Sequence, residues 1–289
     1  MLRLHPQVWI PWKEIHFFDS IDPGSDSGYD IRSRAFRLKT GWRFVLPRLA
    51  ASIVPGASAV ARRFFPLRAV PAPGCGWIAR YLFGDATLRW YEDLFREGAR
   101  ANLRCGEITP AYFMLSANAI GEFARVLPEA RVFLMLRDPV EWAWSDLCRK
   151  LRVRGQSPAD YSDDALIALC AVPDGRSRAD FGLNLSRWLS YFPRERMFIG
   201  LHEEIREGPA AFFDRLCGFV GIDPFPVALR GLFRERINSS ARDFPMPPAV
   251  SRYAAGRYRG EAETMARLLG GRAQRWLVRI DRELERRGQ

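Results

Sequence analysis

The chain has 289 residues, 48% of them apolar, which is enough for one large domain or two small ones around a sizeable core. Its formal charge of +11 and pI near 9.9 point to an anionic partner: a nucleotide, a sulfated or phosphorylated acceptor, a nucleic acid or a membrane surface. Five scattered cysteines without CxxC or Cys/His clustering speak against a metal site or a disulfide framework, and for reduced thiols in the cytoplasm. The first eleven residues carry His5, Pro6 and Gln7 where a signal peptide has its apolar stretch. The longest apolar run, residues 49–61, is short and broken by Pro55 and Gly56, so no transmembrane helix is expected.

In chain order, residues 5–19 open the sequence, and a composition shift follows. No acidic residue falls between Asp30 and Asp85, while arginines are frequent and prolines 47, 55, 66, 71 and 73 interrupt the stretch. Residues 31–84 are therefore predicted to be a basic, Pro-rich, partly helical insertion on a more regular core. Residues 131–136 (RVFLML) predict a short buried strand that ends at Arg137-Asp138-Pro139, where proline opens a helix running to Lys150. A helix is predicted over 183–191, with Leu185, Trp188 and Leu189 on one face. Residues 197–201 (MFIGL) repeat the strand, and Gly208-Pro209 opens a helix over 210–220 that ends at Gly221. Residues 261–287 predict one or two helices broken near Gly270-Gly271. This alternation predicts a single α/β domain with a mainly parallel sheet.

Open α/β sheets bind ligands at the carboxyl ends of their strands, which directs attention to the end of RVFLML. Arg137 leaves that strand, and Ser145 follows eight residues later on the helix beginning at Pro139. A guanidinium fork and a hydroxyl there suit a phosphate. On spacing alone, an arginine capping a strand and a serine bonded within its helix are the favoured alternative.

The segment RVFLMLRDPVEWAWS resembles the 3′-phosphate-binding segment of PAPS-dependent sulfotransferases, particularly the heparan sulfate type and its bacterial relatives. Five further stretches resemble the family's landmarks in order. They are residues 5–19 (HPQVWIPWKEIHFFD), Trp90-Tyr91 with Leu94-Phe95, residues 106–113 (GEITPAYF), the stretch from 183–193 through 197–221, and residues 238–247 (NSSARDFPMP). Together they cover nearly all the chain outside the basic insertion. The resemblance implies a P-loop-like three-layer α/β/α fold, with PAPS as donor and PAP as product. It also implies that Arg137, Ser145 and Arg242 bind the nucleotide. Trp142 stands where the family commonly has arginine, and Ile108 where several heparan-type members have lysine. The second departure points to an acceptor other than an anionic polysaccharide.

The same resemblance makes Glu14 the base that takes the acceptor's proton, with His16 and Asp19 orienting it or the acceptor. In an extended segment Glu14 and His16 share a face, and Phe17 and Phe18 anchor the strand in the core. A charged wet face of a surface strand is the alternative. Lys13 is expected to bind the acceptor, Tyr112 to stack on or hydrogen-bond it, and Thr109 to cap the following helix, while a purely structural role serves Tyr112 and Glu107 equally well.

Sulfuryl transfer also needs backbone N–H groups and a lysine around the 5′-phosphosulfate. In the family that loop precedes the HP dipeptide, which here is His5-Pro6, and none of Lys13, Lys39 and Lys150 sits in a GxxGT-like segment. The expectation is a chain without the first strand and phosphosulfate loop, weakly active as given. A catalytically inactive nucleotide- or acceptor-binding relative is the alternative function. No recognised nucleic-acid motif accompanies the charge, so no nucleic-acid partner is expected. The basic insertion suits peripheral contact with an anionic membrane or glycan. Arginine bias and the bacterial resemblance suggest a bacterial source.

Overall fold

A computed structural model describes residues 1–11, 14–23, 30–38, 75–171, 180–234 and 244–285. Its contacts divide the chain into two compact units, Met1–Ala119 with Phe213–Glu235, and Ile120–Phe212 with Arg236–Gln289.

The first unit is built on aromatic packing. It carries strand β1 (Val8–Trp9) and helices α1 (Phe17–Ile21), α2 (Cys75–Phe83), α3 (Leu88–Asp93) and α4 (Arg96–Arg100), followed by strand β2 (Arg104–Cys105). β1 pairs with β2 in parallel, Val8 opposite Arg104. Phe17 stacks on Tyr91 with centroids 5.0 Å apart, Phe18 meets Tyr112 edge-on, and Trp77 stacks on Tyr81. The buried indoles are satisfied: Trp77 donates to the Leu94 carbonyl and Trp90 to that of Arg80. Near the start of the chain, His5 lies edge-on to Phe225, and its Nε2 is 2.9 Å from the Asp223 carbonyl.

The expected basic insertion fares differently at its ends and its middle. Residues 39–74 lie outside the described residues. The described ends belong to the core: Ile31, Trp77, Tyr81 and Leu82 are buried, and so is Arg37. The Arg37 guanidinium donates to the carbonyls of Ile31 and Gly84 and lies 5.5 Å from the Trp90 ring. Helix α2 is thus a core element, because its aromatic residues at i and i+4 fall on one face.

Helix α5 (Ala117–Val126) leads into the second unit. There strand β3 (Val132–Leu136) feeds α6 (Pro139–Val153), then come α7 (Asp163–Ala171), α8 (Phe181–Tyr191), strand β4 (Met197–Leu201) and α9 (His202–Glu207); α10 (Pro209–Val220) begins in this unit and belongs to the first from Phe213 on. The chain closes with α11 (Pro248–Leu269) and α12 (Gly271–Glu285). β3 and β4 are parallel and in register from Val132↔Met197 to Leu136↔Leu201. Gly200 is required in β4, since a Cβ there would come within 2.7 Å of the Phe212 ring. Trp144, Leu147, Cys148 and Leu151 of α6 pack with Leu166 and Val250, and Trp144 donates to the Phe244 carbonyl.

The expected strands, their parallel pairing and the helices after Pro139 and Pro209 are all present. Among the described residues the strands form two two-stranded ladders. Residues 14–16 form no strand. His16 adopts a left-handed backbone (φ 59°) that turns the chain into α1, so Phe17 and Phe18 enter the core from a helix.

Candidate active site

The turn into α1 gathers three of the expected residues in the first unit. His16 Nε2 is 2.9 Å from Glu14 Oε2, and its Nδ1 is 2.9 Å from Asp19 Oδ2. Asp19 and His16 are buried, while the Glu14 side chain is 43% exposed. The result is a carboxylate–imidazole–carboxylate chain running from the interior to solvent. Burial pulls the His16 pKa down, but the hydrogen bonds to Asp19 and Glu14 outweigh it, and the net shift is upward. The left-handed backbone at His16 costs a non-glycine residue about 1–2 kcal/mol. It brings the imidazole between two carboxylates that an extended chain would have kept apart.

A second cluster holds this turn in place. Glu107 accepts from Tyr91 Oη (2.7 Å), Tyr112 Oη (3.0 Å) and Thr109 Oγ1 (2.7 Å), and from the Ile15 backbone. Tyr112 Oη in turn accepts from the N–H groups of Phe17 and Phe18 at 2.9 and 3.3 Å. Burial raises the Glu107 pKa despite these donors. Burial and the neighbouring Glu107 push both phenols well above their ordinary value, so each remains a proton donor. The backbone of residues 15–18 is therefore pinned from one side by Glu107 and Tyr112.

In the second unit, the carboxyl ends of β3 and β4 place Arg137 and His202 directly after the paired residues Leu136 and Leu201. Arg137 is partly exposed, and its Nη2 lies 3.1 Å from Glu141 Oε2. Ser145 lies one turn beyond Glu141 on the same face of α6. The start of that helix is fixed by Asp138. Its buried carboxylate accepts from the N–H groups of Val140 and Glu141, and takes a two-pronged contact from Arg279 at 2.8 and 2.6 Å. His202 Nδ1 is buried without a hydrogen-bond partner among the described residues. Burial, then the charges of Arg137 and Arg206, lower the His202 pKa, while Glu141 raises it.

Comparison with known proteins finds similarity to sulfotransferases. No family model matches the chain. It is 27% identical over 151 residues to the human bifunctional heparan sulfate N-deacetylase/N-sulfotransferase 2, covering 47% of this chain and 16% of that protein. It is 27% identical over 142 residues to human heparan sulfate glucosamine 3-O-sulfotransferase 3B1, covering 48% of this chain and 36% of that one. Its fold matches the crystal structure of a sulfotransferase from Alicyclobacillus acidocaldarius with a TM-score of 0.52 and 18% identity, over 92% of this chain and 87% of that one. The chain is thus similar to sulfotransferases in part of its sequence and in fold. It spans about a sixth to about a third of the length of these curated relatives.

Against this sulfotransferase fold, the expected residues divide clearly. Glu14, His16 and Asp19 come together, though through side-chain bridging about a turn and not on one strand face. Arg137 stands at the carboxyl end of β3, and Ser145 lies within α6, which follows it. Lys13 and Arg242 lie outside the described residues. Tyr112, expected to bind the acceptor, is buried with its hydroxyl spent on Glu107 and two backbone N–H groups. Thr109 does not cap the turn after it, because its hydroxyl goes to Glu107. Glu141, His202 and Arg279 were missed by sequence reasoning. The first was visible as an acid four residues after Arg137; the others need the fold to be seen.

Proposed function

We propose that the chain transfers a sulfuryl group from PAPS to a hydroxyl, less readily an amine, of a carbohydrate, a lipid or a small metabolite. The observation that carries this reading is the Glu14–His16–Asp19 chain in a protein similar to sulfotransferases. Glu14 takes the acceptor's proton as the acceptor oxygen bonds to sulfur, a role worth roughly 10²–10⁴-fold in rate. His16 holds one oxygen of that carboxylate, and buried Asp19 fixes the imidazole. The resulting hydrogen bonds orient Glu14 while leaving it partly open to solvent.

The donor set at the end of β3 suits a phosphate, with a partly exposed guanidinium and a hydroxyl on one face of α6. Arg137 and Ser145 would hold the 3′-phosphate, with Arg242 as the expected third contact. PAPS supplies the activated sulfuryl group, with PAP as the leaving nucleotide. Ile108, 41% exposed, favours an acceptor less anionic than heparan sulfate. Tyr112 serves the acceptor side by positioning the α1 turn, and Lys13 by direct contact.

We read residues 1–289 as one sulfotransferase domain and assign contact with anionic glycans or membranes to residues 31–84. The free thiols of Cys105, Cys148, Cys170 and Cys217 and the arginine bias favour a bacterial cytoplasm. No helix among the described residues is long and apolar enough to cross a membrane.

The test is transfer from radiolabelled PAPS to a panel of desulfated glycans, hydroxylated lipids and small alcohols, with Glu14→Gln as control. Labelled product that falls at least a hundredfold in the variant supports the reading. A folded chain that binds PAP but labels no acceptor would instead be an inactive nucleotide-binding relative.

A further inference from the structure

The partner of Arg137 is the feature of the donor site that the proposed reaction leaves unexplained. Arg137 and Ser145 are separated by two turns of chain, and Glu141 lies between them on the same face of α6. Its Oε2 sits 3.1 Å from Arg137 Nη2 and 3.4 Å from Arg137 Nε, so it occupies two donors of the guanidinium. A ligand bridging Arg137 and Ser145 must therefore take the place of this carboxylate. The Glu141 side chain is 32% exposed, so its carboxylate already borders water.

We propose that Glu141 is the resident counter-anion of Arg137, which the 3′-phosphate monoester of a bound nucleotide must displace. The inference rests on the reading that Arg137 and Ser145 hold the donor's 3′-phosphate. A phosphate monoester carries a charge of about −1.5 to −2 at neutral pH and has three acceptor oxygens. It offers the guanidinium more than the single negative charge of a carboxylate, so it displaces Glu141. A ligand without that phosphate gains nothing in exchange and leaves the pair closed. Pairing with Glu141 also offsets the charge of Arg137, which discourages weakly bound monoanions. Asp138 and Arg279 hold the start of α6 independently of this pair, so the exchange leaves the helix in place.

The experiment is calorimetric titration of the chain with PAP and with adenosine 5′-phosphate, for wild type, Glu141→Gln and Arg137→Ala. Glu141→Gln is expected to bind PAP about fivefold more tightly, the scale of a partly exposed ion pair, with adenosine 5′-phosphate unchanged. PAP affinity that is unchanged or weaker in Glu141→Gln overturns the inference. If Arg137→Ala leaves PAP binding intact, or wild type binds no PAP, the donor-site reading falls and the inference with it. If Arg137→Ala weakens PAP binding while Glu141→Gln does nothing, only the inference falls. A second readout needs no ligand. The chain has three histidines, so the His202 ring resonance can be followed by NMR. His202 faces Arg137, Arg206 and Glu141, and loss of Glu141 should lower its titration midpoint. An unmoved midpoint in the folded variant counts against the pair as placed at the strand ends.

Discussion

The Tyr112 hydroxyl serves three groups at once, so removing it strands two buried backbone donors and weakens the hold on Glu107. Each unsatisfied buried polar group costs about 1–3 kcal/mol. Tyr112→Phe should therefore lower stability in urea by at least that much, and should slow sulfate transfer because the α1 turn loosens. An unchanged unfolding midpoint would show that the hydroxyl does not hold the turn. His16 has a pH signature of a definite sign. Its folded pKa lies above the ordinary value of 6.5, so below that value both states are protonated and the bridge contributes in full. As pH rises through the folded value the imidazolium is lost, and the stabilisation goes with it. The stability of wild type relative to His16→Gln should shrink as pH is raised from about 6 to about 8; a gap that widens would reverse the assignment. The sequence left Tyr112 open between the acceptor and the scaffold. An aromatic hydroxyl in a motif looks the same whether it faces a ligand or a buried carboxylate, and only the packing of Tyr91 and Thr109 around Glu107 distinguishes the two.

Strands β3 and β4 and helices α6 and α10 were legible because their signals are local. An apolar run of about five residues, stopped by Arg-Asp-Pro or followed by Gly-Pro, needs no distant partner to be recognised. The ion pair that fixes α6 is different, since Asp138 and Arg279 are 141 residues apart in sequence. Nothing near either residue announces the other. Likewise, the arginines and prolines of residues 31–84 outweighed the aromatic spacing of Trp77 and Tyr81, and so hid a core helix in an apparent insertion. The Asp138 pair gives a prediction at this scale. Arg279→Ala leaves a buried carboxylate with only its N-cap donors. The cost should be on the order of 2 kcal/mol, since Arg279 itself is 39% exposed. Thermal unfolding should show that loss, and PAP affinity should fall although Arg279 contacts no nucleotide in this reading. Arg279→Lys, which cannot make the two-pronged contact, should recover only part of it.

A net charge of +11 does not by itself locate an anionic site. Arg259, Arg272 and Arg275 each face an acid on a neighbouring element, Asp281, Glu204 and Glu207 respectively. These exposed pairs are neutral, are already cancelled in the net sum and are worth little individually; in the proposed reading the anionic partner is specified by a few residues at the strand ends. Those residues and the proposed base are carried by different units of the chain, so their contributions should separate in measurement. Glu14→Gln should cut the rate of sulfate transfer by roughly 10²–10⁴-fold while leaving PAP affinity within about twofold of wild type. Arg137→Ala should weaken PAP by about ten- to a hundredfold, the scale of a hydrogen-bonded charge lost from a phosphate. It should leave the stability contribution of His16 and its dependence on pH unchanged. Calorimetry with PAP, paired with pH-dependent unfolding of the same two variants, separates the roles. If Glu14→Gln weakened PAP as strongly as Arg137→Ala, Glu14 would belong to the donor site, and the assignment of base and cradle to separate units would fail.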